Sequence, residues 1–421
     1  MSHSGLRNPP NKTMLVILDG AGDRSIPEFA NRTPYQTAQL PNLDALASRG
    51  STGLMRAIGT GVRPGSDTAH VAIFGYDPYT DYAGRGVYEC AGIGADIRPG
   101  DVAFRANAGT INSLGIVVDR RAGRVASTSN IADYLGVLEH DGAQFLLTPS
   151  LGHRLGLVVR GDGLSANVTD QDPHEIGVKL LEVRPTNQSP EAARTAALLN
   201  WFSQEAARRL GEYEPNRALL SAGQLAPNAI LFRGAGMLRK DIALFTEKFG
   251  LRAIFVAGAP MYKGIAKTHG IPVAEFDPSD GVTGLKDSNL ELKFAKALEL
   301  VCSDDCDMVI VHVKAADTLA EDGNYTAKVM FLEKVDAALK QVLDEPNLLT
   351  VITSDHSTSS LHKRHTADPV PILFSGPGGR IDAVTAFDEV SCATGGIGHI
   401  LGRDVLPLIL DHLGVSDLFG A

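Results

Sequence analysis

Three apolar runs each deliver an aspartate at or just beyond their carboxyl ends. Met14–Leu18 leads into Asp19, Met308–Val313 into Lys314 and Asp317, and Leu348–Thr353 into Ser354, Asp355 and His356. In a parallel α/β sheet, ligands sit beyond the carboxyl ends of the strands. If these runs are neighbouring strands, three carboxylates meet on one edge. Carboxylates crowded together repel one another, and a cation resolves that conflict. His365 follows a few residues after His356, and imidazole beside carboxylate suits Mn²⁺ or Zn²⁺ better than Ca²⁺. A single aspartate in such a place is more often a turn residue; the coincidence of three points to a metal centre.

The stretch Gly61-Val-Arg-Pro-Gly65-Ser66-Asp67-Thr-Ala-His70 could supply a nucleophile. Its glycines and proline shape a tight loop ahead of a predicted helix. A serine at a helix N-terminus faces free backbone N–H groups able to hold a phosphate. A cation bound to the hydroxyl would lower its pKa and activate it. The bland alternative is a capping serine.

The elements that must position these groups are legible as an alternation. Besides the three runs above, Ala253–Val256 and Val370–Phe374 read as buried parallel strands. Helices are predicted from Pro41 to Ser48, from Pro190 (capped by Ser189) to about Leu210, stopping at Gly211, and from Tyr325 to Leu343. In the last of these Leu332, Val335, Leu339 and Val342 form one buried face. Strands alternating with helices argue for an α/β fold with a mostly parallel sheet. From about Asp101 to Pro227 the chain changes to short alternating segments with many Gly and Asp turns, which reads as an inserted α+β domain. The expected division is a core of residues 1–102 and 228–421, and an inserted domain of residues 103–227.

The bulk composition narrows the classes. The chain has 421 residues, 44% of them hydrophobic and 21% charged, with a net charge of −10. That supports a large buried core and two or three domains. No Lys/Arg run offers the positive footprint that nucleic acid requires. The four cysteines include no C-x-x-C pair, which suits a reducing cytosol, so a cytoplasmic location is expected. The first dozen residues read as a loose polar tail rather than a signal peptide. No apolar run approaches membrane-spanning length, so no membrane partner is expected.

Several motifs in order carry a family resemblance. They are Leu18-Asp19-Gly-Ala-Gly-Asp23, Thr33-Pro34, Pro41-Asn-Leu-Asp44, Gly65-Ser66-Asp67-x-Ala-His70, Gly84-Arg85-Gly86, Asp119-Arg-Arg121, Thr169-Asp170-x-Asp172-Pro173 and Ser354-Asp355-His356-Ser-Thr358. Over nearly the whole chain the sequence resembles the archaeal-type, cofactor-independent phosphoglycerate mutases of the alkaline phosphatase superfamily. The resemblance implies an alkaline-phosphatase-like parallel-sheet core with an inserted α+β substrate-binding domain. It implies a phosphoserine mechanism interconverting 3-phosphoglycerate and 2-phosphoglycerate without 2,3-bisphosphoglycerate. Ser66 would be the nucleophile. One divalent cation would be held by Asp19, Ser66, Asp355 and His356, and a second by Asp317, Glu321 and His365. Mn²⁺ is the expected ion, with Mg²⁺, Co²⁺ and Zn²⁺ as alternatives. The family pattern has a histidine where this chain has Glu321; a carboxylate there still binds a cation and favours a harder one.

The inserted domain must supply positive charge to a small phosphorylated carboxylic acid. Arg121 and Arg154 are the candidates by family position, because arginine grips carboxylate and phosphate with two parallel bonds, and Asp119, in the same cluster as Arg121, is a further substrate-binding candidate. Arg85 and Arg105 are weaker ones. Lys314, expected on a strand near Asp317, would be costly there unless it faced an anion. His70 is expected to support the site from behind; His312, His362 and His399 have no assigned role. Two other readings remain open: a related phosphatase or phospho- or phosphonotransferase with a different acceptor, and a non-catalytic relative. The oligomeric state is not readable.

Overall fold

The computed structural model describes residues 12–343, 345, 347–418 and 420. The expected tail therefore falls largely outside the described residues, and Lys12 already begins the first strand. The described chain divides into two compact units. The first comprises residues up to Tyr82, Ala243–Tyr262 and the chain from His269 onward; the second comprises Ala83–Ile242 and Lys263–Thr268.

The first unit is built on a seven-stranded sheet. Its order is Gly398–Leu401, Ser51–Arg56, Val370–Ser375, Leu348–Thr353, Lys12–Leu18, Met308–Val313, Ala253–Val256. Lys12–Leu18 lies between Met308–Val313 and Leu348–Thr353 and runs parallel to both. The three aspartate-bearing strands are thus adjacent. Leu18 pairs with Val313 and Ile17 with Thr353, so their carboxyl ends are level. The strands are continuous apolar runs because both faces are covered. Met14, Val16, Leu18, Val309, Val311 and Ile352 join one core with Phe331, Leu332, Val335 and Leu339 of the helix Tyr325–Leu339. That helix gives way to a 3₁₀ turn, Lys340–Val342, in which Val342 is also buried.

One strand departs from expectation. Val370–Ser375 runs antiparallel to both Leu348–Thr353 and Ser51–Arg56. A parallel return needs a long crossover, usually a helix. Here the chain instead forms a hairpin, Ser357–Ser359 against Arg364–Thr366, and comes back in the opposite direction.

The second unit is α+β. The long strand Val102–Ile111 pairs antiparallel with Val117–Asp119, Arg154–Arg160 and Ala229–Met237; Ala143–Pro149 and Leu138–His140 extend the sheet. The helix Pro190–Glu212, capped by the Ser189 side chain, passes one residue beyond Gly211 and contributes Ala196, Leu199, Phe202 and Leu210 to a separate core. This unit reaches further along the chain than the expected 103–227. Arg85–Gly92 packs on its sheet and Ala229–Met237 is one of its strands. No described helix is long and apolar enough to cross a membrane.

Candidate active site

The level ends of the three central strands bring Asp19, Asp317 and Asp355 together. Asp19 follows the first strand directly and is fully buried. Asp317 sits in the first turn of the helix Ala315–Glu321, and its backbone N–H donates to the Asp19 carbonyl at 2.9 Å. Asp355 lies two residues beyond Leu348–Thr353, and its Oδ1 accepts from the N–H groups of Gly20 and His356, both at 3.0 Å. Gly20 makes this approach possible. Its φ is +61°, and a Cβ there would lie 2.6 Å from Asp317 Cβ and 2.7 Å from Thr358 Oγ1.

Two compact groups of ligating atoms result: Asp19 with Asp355 and His356, and Asp317 with His356 and His365. His356 Nε2 lies 3.4 Å from both Asp19 Oδ1 and Asp355 Oδ2. His365 stacks on His356, ring centroids 3.6 Å apart, with its Nε2 3.4 Å from Asp317 Oδ1. Asp19 Oδ1 and Asp355 Oδ2 are buried without a hydrogen-bond partner. Buried carboxylate oxygens left in this state are costly, and they face a neutral imidazole. The donor set therefore fits a divalent cation in each group. Glu321 is looser than expected: its Oε1 is 3.8 Å from His365 Nε2, its side chain is half exposed, and it belongs to neither compact group.

Ser66 opens the helix Ser66–Ile73 at its first position, with Gly65 as the cap. Its Oγ is 3.0 Å from His356 Nε2. The nucleophile candidate and the buried ligands thus share one point. Thr68 and Asp67 close the same turn, Thr68 Oγ1 donating to Gly65 O at 3.0 Å.

The electrostatics follow from burial and neighbours. Burial works against the charge on Asp19, but Lys314 and the imidazoles of His312 and His356 outweigh it and hold this carboxyl well below its ordinary range. Burial and then the Asp19 charge push Asp355 well above that range. Two carboxylates this close titrate as a pair. Burial also depresses His356 to about 4, which keeps its lone pair available. Lys314 lies just past the strand Met308–Val313 rather than on it. Its Nζ donates to Asp19 Oδ2 at 3.2 Å and lies 3.8 Å from Asp317 Oδ2. Burial disfavours the ammonium, but these carboxylates reverse the effect and raise its pKa.

Some of the constellation was not legible beforehand. Tyr262 donates its hydroxyl to Asp19 Oδ2 at 2.5 Å. His312, given no role from sequence, stacks under Tyr262 at 3.7 Å and places Nε2 3.5 Å from the same oxygen. Its position on a β-rich run two residues before Lys314 was the available signal. His70 supports the site as expected: Nδ1 is 2.7 Å from Ser66 O and 3.6 Å from Asp355 Oδ2. Behind these groups, fully buried Lys328 donates to Gly22 O, Asp23 Oδ2 and Thr358 O.

The second unit carries its own basic cluster. Asp119 Oδ1 accepts from the N–H groups of Arg121 and Gly123, at 2.7 and 3.1 Å, and so shapes the loop that presents Arg121. Arg121 and Arg154 are exposed and make no ion pair among the described residues. Burial and then the charges of Arg154, Arg121 and Arg105 depress His153. Arg105 pairs across the sheet with Arg233. Burial, only partly offset by Glu89, lowers Arg105 to about 10. Arg120 forks onto Asp172 at 3.0 and 2.6 Å, and Arg233 approaches the same carboxylate at 3.6 Å. Arg233 and the anchoring of Arg120 escaped the sequence reading, because both meet Asp172 from more than 50 residues away along the chain, outside any local pattern.

Comparison with known proteins gives one consistent picture. A sequence profile described as 2,3-bisphosphoglycerate-independent phosphoglycerate mutase matches residues 47–216. The chain is 42% identical over 415 residues to a protein of that description from Methanocaldococcus jannaschii, covering 97% of this chain and 99% of the relative. It is 40% identical over 413 residues to one from Methanococcus aeolicus, covering 97% and 100%. Among solved structures, a cofactor-independent phosphoglycerate mutase from Thermoplasma acidophilum aligns over 96% of this chain and all of its own, with a TM-score of 0.72 and 36% identity.

Proposed function

The chain belongs to the 2,3-bisphosphoglycerate-independent phosphoglycerate mutases, and from that premise we propose how its residues divide the work. The reaction is the interconversion of 3-phosphoglycerate and 2-phosphoglycerate through a phosphoserine. Ser66 Oγ gives up its proton and forms a bond to phosphorus as the bond from phosphorus to the substrate O3 breaks, and O3 takes up a proton. The glycerate then turns, its O2 gives up its proton and attacks the same phosphorus, the bond to Oγ breaks, and Oγ is reprotonated. The observation that carries this reading is Ser66 Oγ at 3.0 Å from His356 Nε2, the nitrogen that also faces Asp19 and Asp355.

The family is metal-dependent. In this reading Asp19, Ser66, Asp355 and His356 hold one divalent cation, and Asp317, Glu321 and His365 a second, with Mn²⁺ as the ion in both. Such ions neutralise charge on the phosphoryl oxygens and favour the ionised serine. The protein's own groups do the rest. The Lys314 ammonium, poised between Asp19 and Asp317, supplies a donor to a phosphoryl oxygen. Arg121 and Arg154 grip the substrate's anionic groups, and Asp119 holds the loop of Arg121. The substrate is a small phosphorylated acid, and the protein works in the cytoplasm.

The test is a phosphorus NMR time course with 3-phosphoglycerate and Mn²⁺. Appearance of 2-phosphoglycerate with little free phosphate is expected. In the Ser66→Ala protein the rate should fall by more than about 10³-fold. Free phosphate as the main product would instead support a phosphatase, the alternative that Glu321 raises by adding negative charge near an incoming phosphate. Unchanged turnover in Ser66→Ala would exclude the phosphoserine.

A further inference from the structure

Three imidazoles surround the nucleophile, and each must present a particular nitrogen. His70 Nδ1 is 2.7 Å from the carbonyl of Ser66, and His365 Nδ1 is 2.9 Å from the carbonyl of Pro64. A carbonyl only accepts, so both rings carry a proton on Nδ1, and in the neutral ring the lone pair then sits on Nε2. His356 differs. Its Nδ1 faces no carbonyl; its partner is the hydroxyl of Thr358, at 3.0 Å. A hydroxyl can donate or accept, so by itself this contact leaves the ring undecided.

The second contact of that hydroxyl decides it. Thr358 Oγ1 also lies 2.8 Å from Asp317 Oδ1. An ionised carboxylate has no proton to give, so the single hydroxyl proton goes to Asp317. The oxygen is left to accept from Nδ1–H of His356, which leaves Nε2 as the lone-pair nitrogen toward Asp19, Asp355 and Ser66. The hydroxyl has little freedom to do otherwise. Thr358 is fully buried, its N–H donates to Gly22 O at 2.9 Å, and its carbonyl accepts from Lys328 at 3.0 Å.

We propose that Thr358 is a positioning residue which sets the tautomer of His356 and ties it to Asp317, so that one hydroxyl orients ligands of both metal groups. The inference rests on the reading of His356 as a ligand, and its main readout does not depend on turnover. Partners of this kind, hydrogen-bonded to a ligating imidazole, tune metal affinity by roughly 10–100-fold.

The test uses the full chain labelled with ¹⁵N at histidine and stripped of metal. Two-bond ¹⁵N–¹H correlation reads which nitrogen of each ring carries the proton. In the wild-type protein His356 is expected to be protonated on Nδ1. Thr358→Val keeps the shape but removes the hydroxyl. It should release His356 into a mixed or Nε2–H state and weaken Mn²⁺ binding by about 10–100-fold in calorimetric titration. Thr358→Ser should keep both properties. Wild-type His356 protonated on Nε2 would overturn the proposal, with no variant needed. So would a Thr358→Val protein with unchanged tautomer and unchanged Mn²⁺ affinity. Should Thr358→Val fail to fold, the wild-type and Thr358→Ser spectra decide. A Thr358→Ser protein whose His356 leaves the Nδ1–H form counts against it. Failure of mutase activity with the expected tautomer would refute the assigned reaction and leave this role standing.

Discussion

Glu321 keeps half of its side chain in water, while Asp19 and Asp355 keep none. A group so exposed contributes less to cation affinity than a buried one, and burial and Asp317 raise its pKa rather than lower it. Replacing it should therefore retune the site rather than empty it. Glu321→His is expected to retain two bound ions and to shift preference from Mg²⁺ toward Zn²⁺ by about tenfold, because imidazole is the softer donor. Competition titrations of the two ions check this; loss of one ion from the stoichiometry would show that Glu321 is indispensable. A second residue-scale consequence concerns Glu389. Its carboxyl accepts from Thr33 Oγ1 and Asp23 N, yet burial dominates and raises it from 4.5 to about 7. An acid with a raised pKa in the folded state binds an extra proton there. Its stabilisation is complete below the unfolded value and is lost as pH rises through about 7. Urea unfolding should show wild type losing stability relative to Glu389→Gln between about pH 5 and about pH 8; parallel pH profiles would sink the assignment. At this scale the sequence revealed the ionisable groups at strand ends but not their companions. Tyr262 meets Asp19 from 243 residues away, and no local pattern marks such a contact.

Elements were legible where burial alone dictates their pattern. Met308–Val313 and Leu348–Thr353 stand where their apolar runs predict, because strands covered on both faces need no alternation. Direction was not legible in Val370–Ser375, since a buried strand reads the same either way and only the connection decides. The turn after the first strand shows how tightly the elements constrain the site. Gly20 occupies the left-handed region, and its missing Cβ admits both Asp317 and Thr358. Gly20→Ala should destabilise the protein by about 1–2 kcal/mol from the backbone conformation alone, before any clash is counted. The clash is with a backbone-anchored helix turn rather than a flexible tip, so Asp317 must shift and Mn²⁺ affinity should fall as well. Chemical denaturation with calorimetry on the same variant separates the two effects. A variant as stable as wild type would mean that the turn rearranges freely.

For the molecule as a whole, the proposed ligands are gathered from remote parts of the chain. Asp19, Asp317 and Asp355 come together only when the seven-stranded sheet has formed, and Ser66 meets them through His356. An unfolded chain cannot assemble them, so nearly all the binding free energy is coupled to folding. At a free ion concentration of about 100 times the dissociation constant, each site should add about 2.7 kcal/mol. The stabilisation should also be local in its mechanism. The unpartnered oxygens of Asp19 and Asp355 are where the folded protein carries an uncompensated cost, and a cation removes that cost there. Hydrogen exchange with and without Mn²⁺ should therefore slow most in residues 19–23, 314–321 and 354–366 and in the turn at Ser66, the segments that hold the proposed ligands and the Thr358 bridge. Slowing spread evenly through the sheet would mean that the ion acts only by shifting the global unfolding equilibrium. Protection concentrated at the strand ends would mean that the site itself opens and closes in the metal-free protein, with the fold around it already complete.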